Sequence, residues 1–171
     1  RFDYDLLVIG AGSGGVRAAR KSAEFGARVA VVEEAALGGT CVNVGCIPKK
    51  LYVYASEFAS AWREAEGFGW RSEGVSFDWD TLRDNKSKEI ARLNAIYERL
   101  LNAPGVDIIT GHGTLTGPQS VLVNGHTYHA EKILLATGTW PALPDIPGNE
   151  LALTSNEIFD LAQFPQRLLI V

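Results

Sequence analysis

The sequence contains no methionine, two cysteines and three histidines in 171 residues. Two cysteines cannot supply a disulfide framework, and they lack the second close pair that a structural zinc site uses. No metal site is expected. No apolar run approaches the roughly 18 residues of a membrane span, and no charged-then-apolar leader precedes the first apolar segment. A protein off the membrane in a cytoplasm-like compartment is therefore the expectation. There is no basic block either: 16 Lys and Arg stand against 20 Asp and Glu, a net charge of −4, which argues against a nucleic-acid partner and for a small molecule. Low-complexity tracts and short repeats are missing. With 46% hydrophobic and 21% charged residues, the composition excludes wholesale disorder and a coiled coil. The missing methionine and the start at Arg1 suggest a trimmed beginning.

The first 33 residues read as a βαβ unit. A continuous apolar run at 5–9 enters a glycine cluster, residues 13–25 are helical in composition, and RVAVVE at 28–33 is a second buried strand. Ala18, Ala19 and Ala23 would let the helix lie close to a sheet, and Gly26 would end it. A second helical region is expected from about Cys41 through Pro48 to Gly67. A third should begin at Asp78 or Asp80 and run to Asn102, burying a stripe of Ile90, Leu93, Tyr97 and Leu100. From Val106 the pattern changes to VDIIT, TLTG, SVLV and TYHA, with Asn124-Gly125 as a type I′ hairpin signal; these read as a small antiparallel insert. KILLAT at 132–137 returns to a parallel strand, and the proline-rich stretch after it reads as a connector. RLLIV at 167–171 repeats the opening pattern and predicts another buried strand. The expected class is α/β, Rossmann-like, with a parallel sheet, helices and the antiparallel insert.

Gly10, Gly12 and Gly15 fit G-x-G-x-x-G between a strand and a helix. In that setting the first glycine permits the turn, the second admits a pyrophosphate and the third allows close packing, while the helix start offers amide donors. Glu33, 18 residues after Gly15, closes the second strand, where a carboxylate can accept from an adenosine ribose and would repel a 2′-phosphate. The site thus suits FAD or NAD rather than NADP. A glycine turn and a strand-end glutamate without a ligand is the competing reading.

Cys41 and Cys46 stand in GGTCVNVGCIPKK, five positions apart. In an undistorted helix that spacing is about 7.5 Å along the axis, beyond the roughly 4.4–6.8 Å between the Cα atoms of a disulfide. A bridge needs a distorted turn, which Gly45 and Pro48 make accessible. A loop so short would stabilise little, so redox cycling is the better reason for a bridge; two reduced buried cysteines remain the plainer alternative.

GGTCVNVGCIPKK, following GAGSGG and VVEE, resembles the FAD domain of the pyridine nucleotide disulfide reductases. The similarity runs through RLNAIYERLL, GHGTL, ILLATG and RLLIV and covers essentially the whole chain. Lys49-Lys50, where lipoamide dehydrogenases and mercuric reductases carry Ser-Lys, places it with the glutathione, trypanothione and large thioredoxin reductase branches. Arg17 and Arg20, one turn apart, suit an anionic peptide such as glutathione disulfide, although a small residue is common at position 17 in the glutathione branch.

The resemblance implies FAD contacts at Ser13, Gly14, Glu33, Thr40, Cys41, Lys49 and Gly113. It makes Cys46 the charge-transfer thiolate beside the flavin and Cys41 the interchange thiol, with Lys49 near the flavin N5. Ser13, Arg20 and Tyr97 would line the disulfide substrate site, and His112 would lie beside the adenine. A solvated Lys49 and a core Tyr97 are the alternatives to those two roles. The implied organisation is an FAD-binding domain over 1–140, a connector over 141–166 and, at 167–171, the first strand of an NADPH-binding domain. The parent would be a homodimeric enzyme using NADPH. A large thioredoxin reductase and a flavin-binding thiol switch without turnover stay open.

Overall fold

The computed structural model describes residues 1–71 and 73–171. The apolar run after Phe2 forms β1 (Tyr4–Ile9), followed by α1 (Ser13–Glu24) and β2 (Val29–Glu33), which pairs parallel with β1. Both strands are nearly continuously apolar because both faces are covered. Successive side chains alternate between two cores: Val8, Val29 and Val31 face α1, while Leu7, Ile9, Ala30 and Val32 face the opposite side. Ala19 is fully buried and lets α1 sit close. The helix ends as expected, with Gly26 at φ +93° and its amide on the Ala23 carbonyl.

The expected second helical region is two helices, α2 (Gly39–Asn43) and α3 (Cys46–Ala65), followed by a 3₁₀ turn at Glu66–Phe68. Next comes α4 (Trp79–Asn102). Asp78, rather than Asp80, caps it by accepting from the Thr81 amide at 2.7 Å. The stripe of Ile90, Leu93, Tyr97 and Leu100 is only half-buried. The deepest apolar contact of α4 is Leu101, fully buried against Val8, Val16 and Val106.

Two expectations about the later strands are corrected. β3 (Asp107–Thr110) is not part of the antiparallel insert: it pairs parallel with β2, from Ala30↔Asp107 to Glu33↔Thr110. Its partner lies 77 residues earlier, and no local signal reveals such a pairing. β4 (Thr114–Gly117) and β5 (Ser120–Val123) do form the insert, but TYHA and KILLAT are one strand, β6 (His126–Leu135). Its first half pairs antiparallel with β5 and its second half parallel with β1, because no glycine or proline interrupts it. Asn124 and Gly125 both have positive φ, as a type I′ turn requires. Among the described residues the sheet order is β3-β2-β1-β6-β5-β4.

After β6 the chain is irregular except for a 3₁₀ turn at Asn149–Leu151 and α5 (Ser155–Ile158), which opens on a capping box between Thr154 and Glu157. Residues 159–162 then fold back over α3 and α4. Tyr52 Oη donates to the Phe159 carbonyl at 2.6 Å, Trp79 Nε1 donates to the Leu161 carbonyl at 2.8 Å, and buried Lys86 pairs with Asp160. The expected strand over 167–171 does not form, and Ile170 is 85% exposed. An apolar run becomes a strand only where a sheet edge receives its amides and carbonyls, and among the described residues none does.

Leu101→Ala should cost about 2–5 kcal/mol, the range for an emptied core position. Denaturant titration reads this directly, and a loss below about 1 kcal/mol would show that α4 is not anchored through Leu101.

Candidate functional site

The glycine turn after β1 is built from two kinds of glycine. Gly10 (φ +104°) and Gly15 are needed by the fold: a Cβ on Gly10 would lie 2.2 Å from the Ala136 carbonyl oxygen, and one on Gly15 would lie 1.8 Å from the Gly10 carbonyl oxygen. Gly12 and Gly14 are not. A Cβ on Gly12 would only touch Gly39 Cα at 3.8 Å, and one on Gly14 would meet nothing within 4 Å. Gly12 caps α1 without a side chain, and Ser13 and Gly14 are exposed, so the first amides of α1 face open space. Such an end holds an anion.

Glu33 is drawn into the same turn. Its carboxylate accepts from the Ala11 amide at 2.7 Å and the Ala35 amide at 2.9 Å, so it braces the glycine turn. With Ile9, Gly10, Val32, His112 and Gly113 it lines a cavity of about 90 Å³. Gly113 fits tightly there, with a Cβ reaching 3.2 Å from Val32 Cγ1. At the rim His112 Nδ1 lies 2.5 Å from Glu34 Oε2. A larger cavity of about 430 Å³, lined by Glu33, Leu37, Glu98, Asn102 and Asp107, opens at the sheet edge; it shares Glu33 with the smaller one, and neither a glycine nor a cysteine lines it.

The cysteine segment is fastened to this turn through backbone. Gly38 donates to the Ala11 carbonyl at 2.8 Å, and a Cβ on Gly39 would lie 2.7 Å from Gly12 Cα. Cys41 therefore sits on a helix that starts against the glycine turn. Cys46 is the first residue of the next helix, across a break at Val44 and Gly45. Gly45 is required there, since a Cβ would stand 2.8 Å from the Thr40 carbonyl oxygen. Pro48 plays a different part from the one expected. It is the third residue of α3, where no intrahelical partner awaits its missing amide hydrogen, so it removes no helical bond.

Both cysteines are free thiols, Cys41 half-buried and Cys46 exposed. The Cys46 sulfur as hydrogen-bond partner, and after it burial, push the Cys41 thiol above its ordinary pKa; the Lys49 charge acts weakly the other way. Cys41 thus holds its proton longer than an isolated thiol. Lys49 and Thr40 are exposed beside the pair.

The remaining candidates lie apart from the sulfurs. Arg20 Nε approaches Glu24 Oε1 at 3.4 Å, and Tyr97 is half-buried against the Val8 core. Among the described residues neither hydrogen-bonds to α2 or α3. Sequence reasoning missed Asn43 and Asn94, whose side chains join α2, α4 and the Leu37 carbonyl. An amide inside an otherwise apolar CVNVGC run, and another one turn before Tyr97, were the available signals.

Residues 4–171 match the family model described as pyridine nucleotide-disulphide oxidoreductase, and the chain belongs to that family. Among curated proteins it is 47% identical over 171 residues to a glutathione reductase of Burkholderia cepacia, covering 100% of this chain and 38% of that protein. It is 43% identical to a glutathione reductase of Nostoc sp., covering 99% and 37%. With the chloroplastic/mitochondrial glutathione reductase of Pisum sativum it shares 44%, covering 100% and 33%. The chain thus spans between a third and two fifths of the length of these relatives. Among the described residues no helix is long and apolar enough to cross a membrane.

Gly12→Ala separates ligand from fold. It should leave thermal unfolding nearly unchanged, because the methyl has room, yet weaken ADP binding about tenfold or more by blocking close approach to the pyrophosphate. Calorimetry that finds native ADP affinity in this variant would remove the turn as a phosphate site. Cys46→Ala should speed alkylation of Cys41 near pH 8, since the chief cause of its raised pKa is gone and the thiolate is the nucleophile. An unchanged rate would mean that the two sulfurs do not communicate.

Proposed function

We propose that this chain is the FAD-binding and dithiol part of an NADPH-dependent reductase that acts on glutathione disulfide. The observation that carries the reading is the contact of Gly39 on Gly12, which fastens a cysteine pair to a nucleotide-type glycine turn. The residues fit FAD: Gly12 and Gly14 leave the start of α1 uncovered, Glu33 stands at the end of β2, and Gly113 lines the cavity beside it. In this reading Gly10 and Gly15 shape the turn, and Ser13, Thr40, Cys41 and Lys49 complete the contacts. Bound FAD would supply the two electrons that open a Cys41–Cys46 disulfide.

The chain's own residues then carry the exchange. Cys41, once deprotonated, attacks one sulfur of glutathione disulfide; the S–S bond breaks and one glutathione leaves, taking a proton. The Cys46 thiolate attacks the mixed disulfide at Cys41, the second glutathione departs and is protonated, and the Cys41–Cys46 bond closes, so two electrons have passed to the substrate. The raised pKa of Cys41 makes a base necessary. His112 is paired with Glu34, and His126 and His129 lie on β6, so the base is assigned to sequence outside residues 1–171, together with the NADPH site. RLLIV would become the first strand of that NADPH domain. Ser13, Arg20 and Tyr97 would orient the peptide, Arg20 exchanging Glu24 for a substrate carboxylate. A homodimer and a cytoplasmic setting belong to the same reading.

The intact protein should purify yellow and oxidise NADPH only when glutathione disulfide is present, whereas residues 1–171 alone should not turn over. Both Cys41→Ser and Cys46→Ser should abolish turnover; after reduction a long-wavelength absorbance band should persist in the first and vanish in the second. A protein that takes up no FAD in equilibrium dialysis defeats the reading. A yellow protein without turnover would instead be a flavin-binding thiol switch, and a band kept only in Cys46→Ser would reverse the two roles.

A further inference from the structure

With five residues, α2 is too short to hold its helical form by its own hydrogen bonds. Side-chain amides hold it. Asn43 Nδ2 donates to the Gly39 and Leu37 carbonyls at 2.9 and 3.2 Å. Asn94, in the middle of α4, donates through Nδ2 to the same Leu37 carbonyl at 2.7 Å and to Asn43 Oδ1 at 3.0 Å. These bonds are partly buried, so an acceptor left without its donor would be costly. Cys41 lies within the helix fastened in this way, and Cys46 lies beyond the Gly45 break on another helix. The approach of the two sulfurs therefore depends on where α2 sits; the glycine turn seats one end of it, and α4, which carries neither cysteine, fastens the other through Asn94.

We propose that Asn94, acting through Asn43, is a positioning residue for the cysteine pair, fixing α2 so that Cys41 stays beside Cys46. The inference rests on reading the pair as a redox couple. Its test uses the intact protein in glutathione buffers. There closing the pair forms one S–S bond, while the two electrons and two protons pass to glutathione disulfide, giving two glutathione molecules.

Asn94→Asp keeps the side-chain shape but sets a carboxylate against the Leu37 carbonyl and Asn43 Oδ1, both acceptors. Asn94→Leu removes the donors without adding charge, and decides the matter if the aspartate variant does not fold. The glutathione disulfide concentration, at fixed glutathione, at which half the pair is closed, read by mass spectrometry of the peptide spanning both cysteines, should rise about tenfold, as expected for two lost hydrogen bonds. Alkylation of Cys41 in the reduced protein, located on the same peptide, should also accelerate. Leu101→Ala is the control: it loosens α4 from the core without touching the amides, so it should lower the melting temperature and leave both readouts at native values.

The proposal is overturned if the Asn94 variants keep the native midpoint and alkylation rate, or if Leu101→Ala moves them as far. Should the native pair fail to close in any glutathione buffer, the redox reading falls; the alkylation rate then decides the clamp by itself, acceleration supporting it and a native rate overturning it.

Discussion

Three places where backbone meets backbone with no side chain between them organise the end of the sheet that carries the candidate site. Gly10 lies against the Ala136 carbonyl, Gly15 against Gly10, and Gly39 against Gly12. At each, a single methyl would force apart elements that otherwise pack at the density of a protein interior. The first contact joins β1 to the end of β6, the second presses α1 onto its own turn, and the third seats α2 on that turn. Glu33 completes the arrangement by taking the Ala11 amide, so β2 is held to the turn by charge-assisted hydrogen bonding as well as by the sheet. The open start of α1 and the cysteine segment are neighbours as a consequence.

The cysteine segment shows how a short piece of chain is given a defined shape without intrinsic stability. Gly38 and Gly39 both have positive φ, α2 lasts five residues, and Gly45 allows the chain to turn sharply before α3 starts. None of these features favours a persistent helix. Order comes from outside: Gly12 at one end, the Asn43 and Asn94 amides at the other. Five positions along an unbroken helix would set Cys41 and Cys46 about 7.5 Å apart along its axis, and the break at Gly45 removes that constraint.

A similar division applies to the segment after β6. Its one α-helix is four residues long, yet residues 159–162 are drawn onto α3 and α4 by Tyr52, Trp79 and Arg83, with Lys86 buried against Asp160. Lys86 is 4% exposed while Asp160 stays largely in solvent, so the pair holds the segment at the surface rather than inside a core. Rings of Tyr52, Trp79, Phe159 and Phe164 pack beside it with centroids 5.3–5.6 Å apart.

Local chemistry decided much of this protein from the sequence alone. The Gly26 cap and the Asn124-Gly125 hairpin depend on neighbours within a few residues and were legible, as was the opening βαβ pattern; the start of α4 was legible only as Asp78 or Asp80. So was the glycine fingerprint, because its three glycines answer to a turn and a helix beginning that follow one another directly. Tertiary structure alone decided the rest, and the reason is distance along the chain. β3 joined the parallel sheet because β2 offered it an edge, β6 served two partners because its two halves met different strands, and 167–171 pairs with no strand among the described residues. Glu33 became a brace only when the turn came within 2.7 Å of it, and Asn94 gained a role only when α4 was laid across Leu37 and Asn43. A residue's type states which bonds it is able to make; only the fold brings the partner.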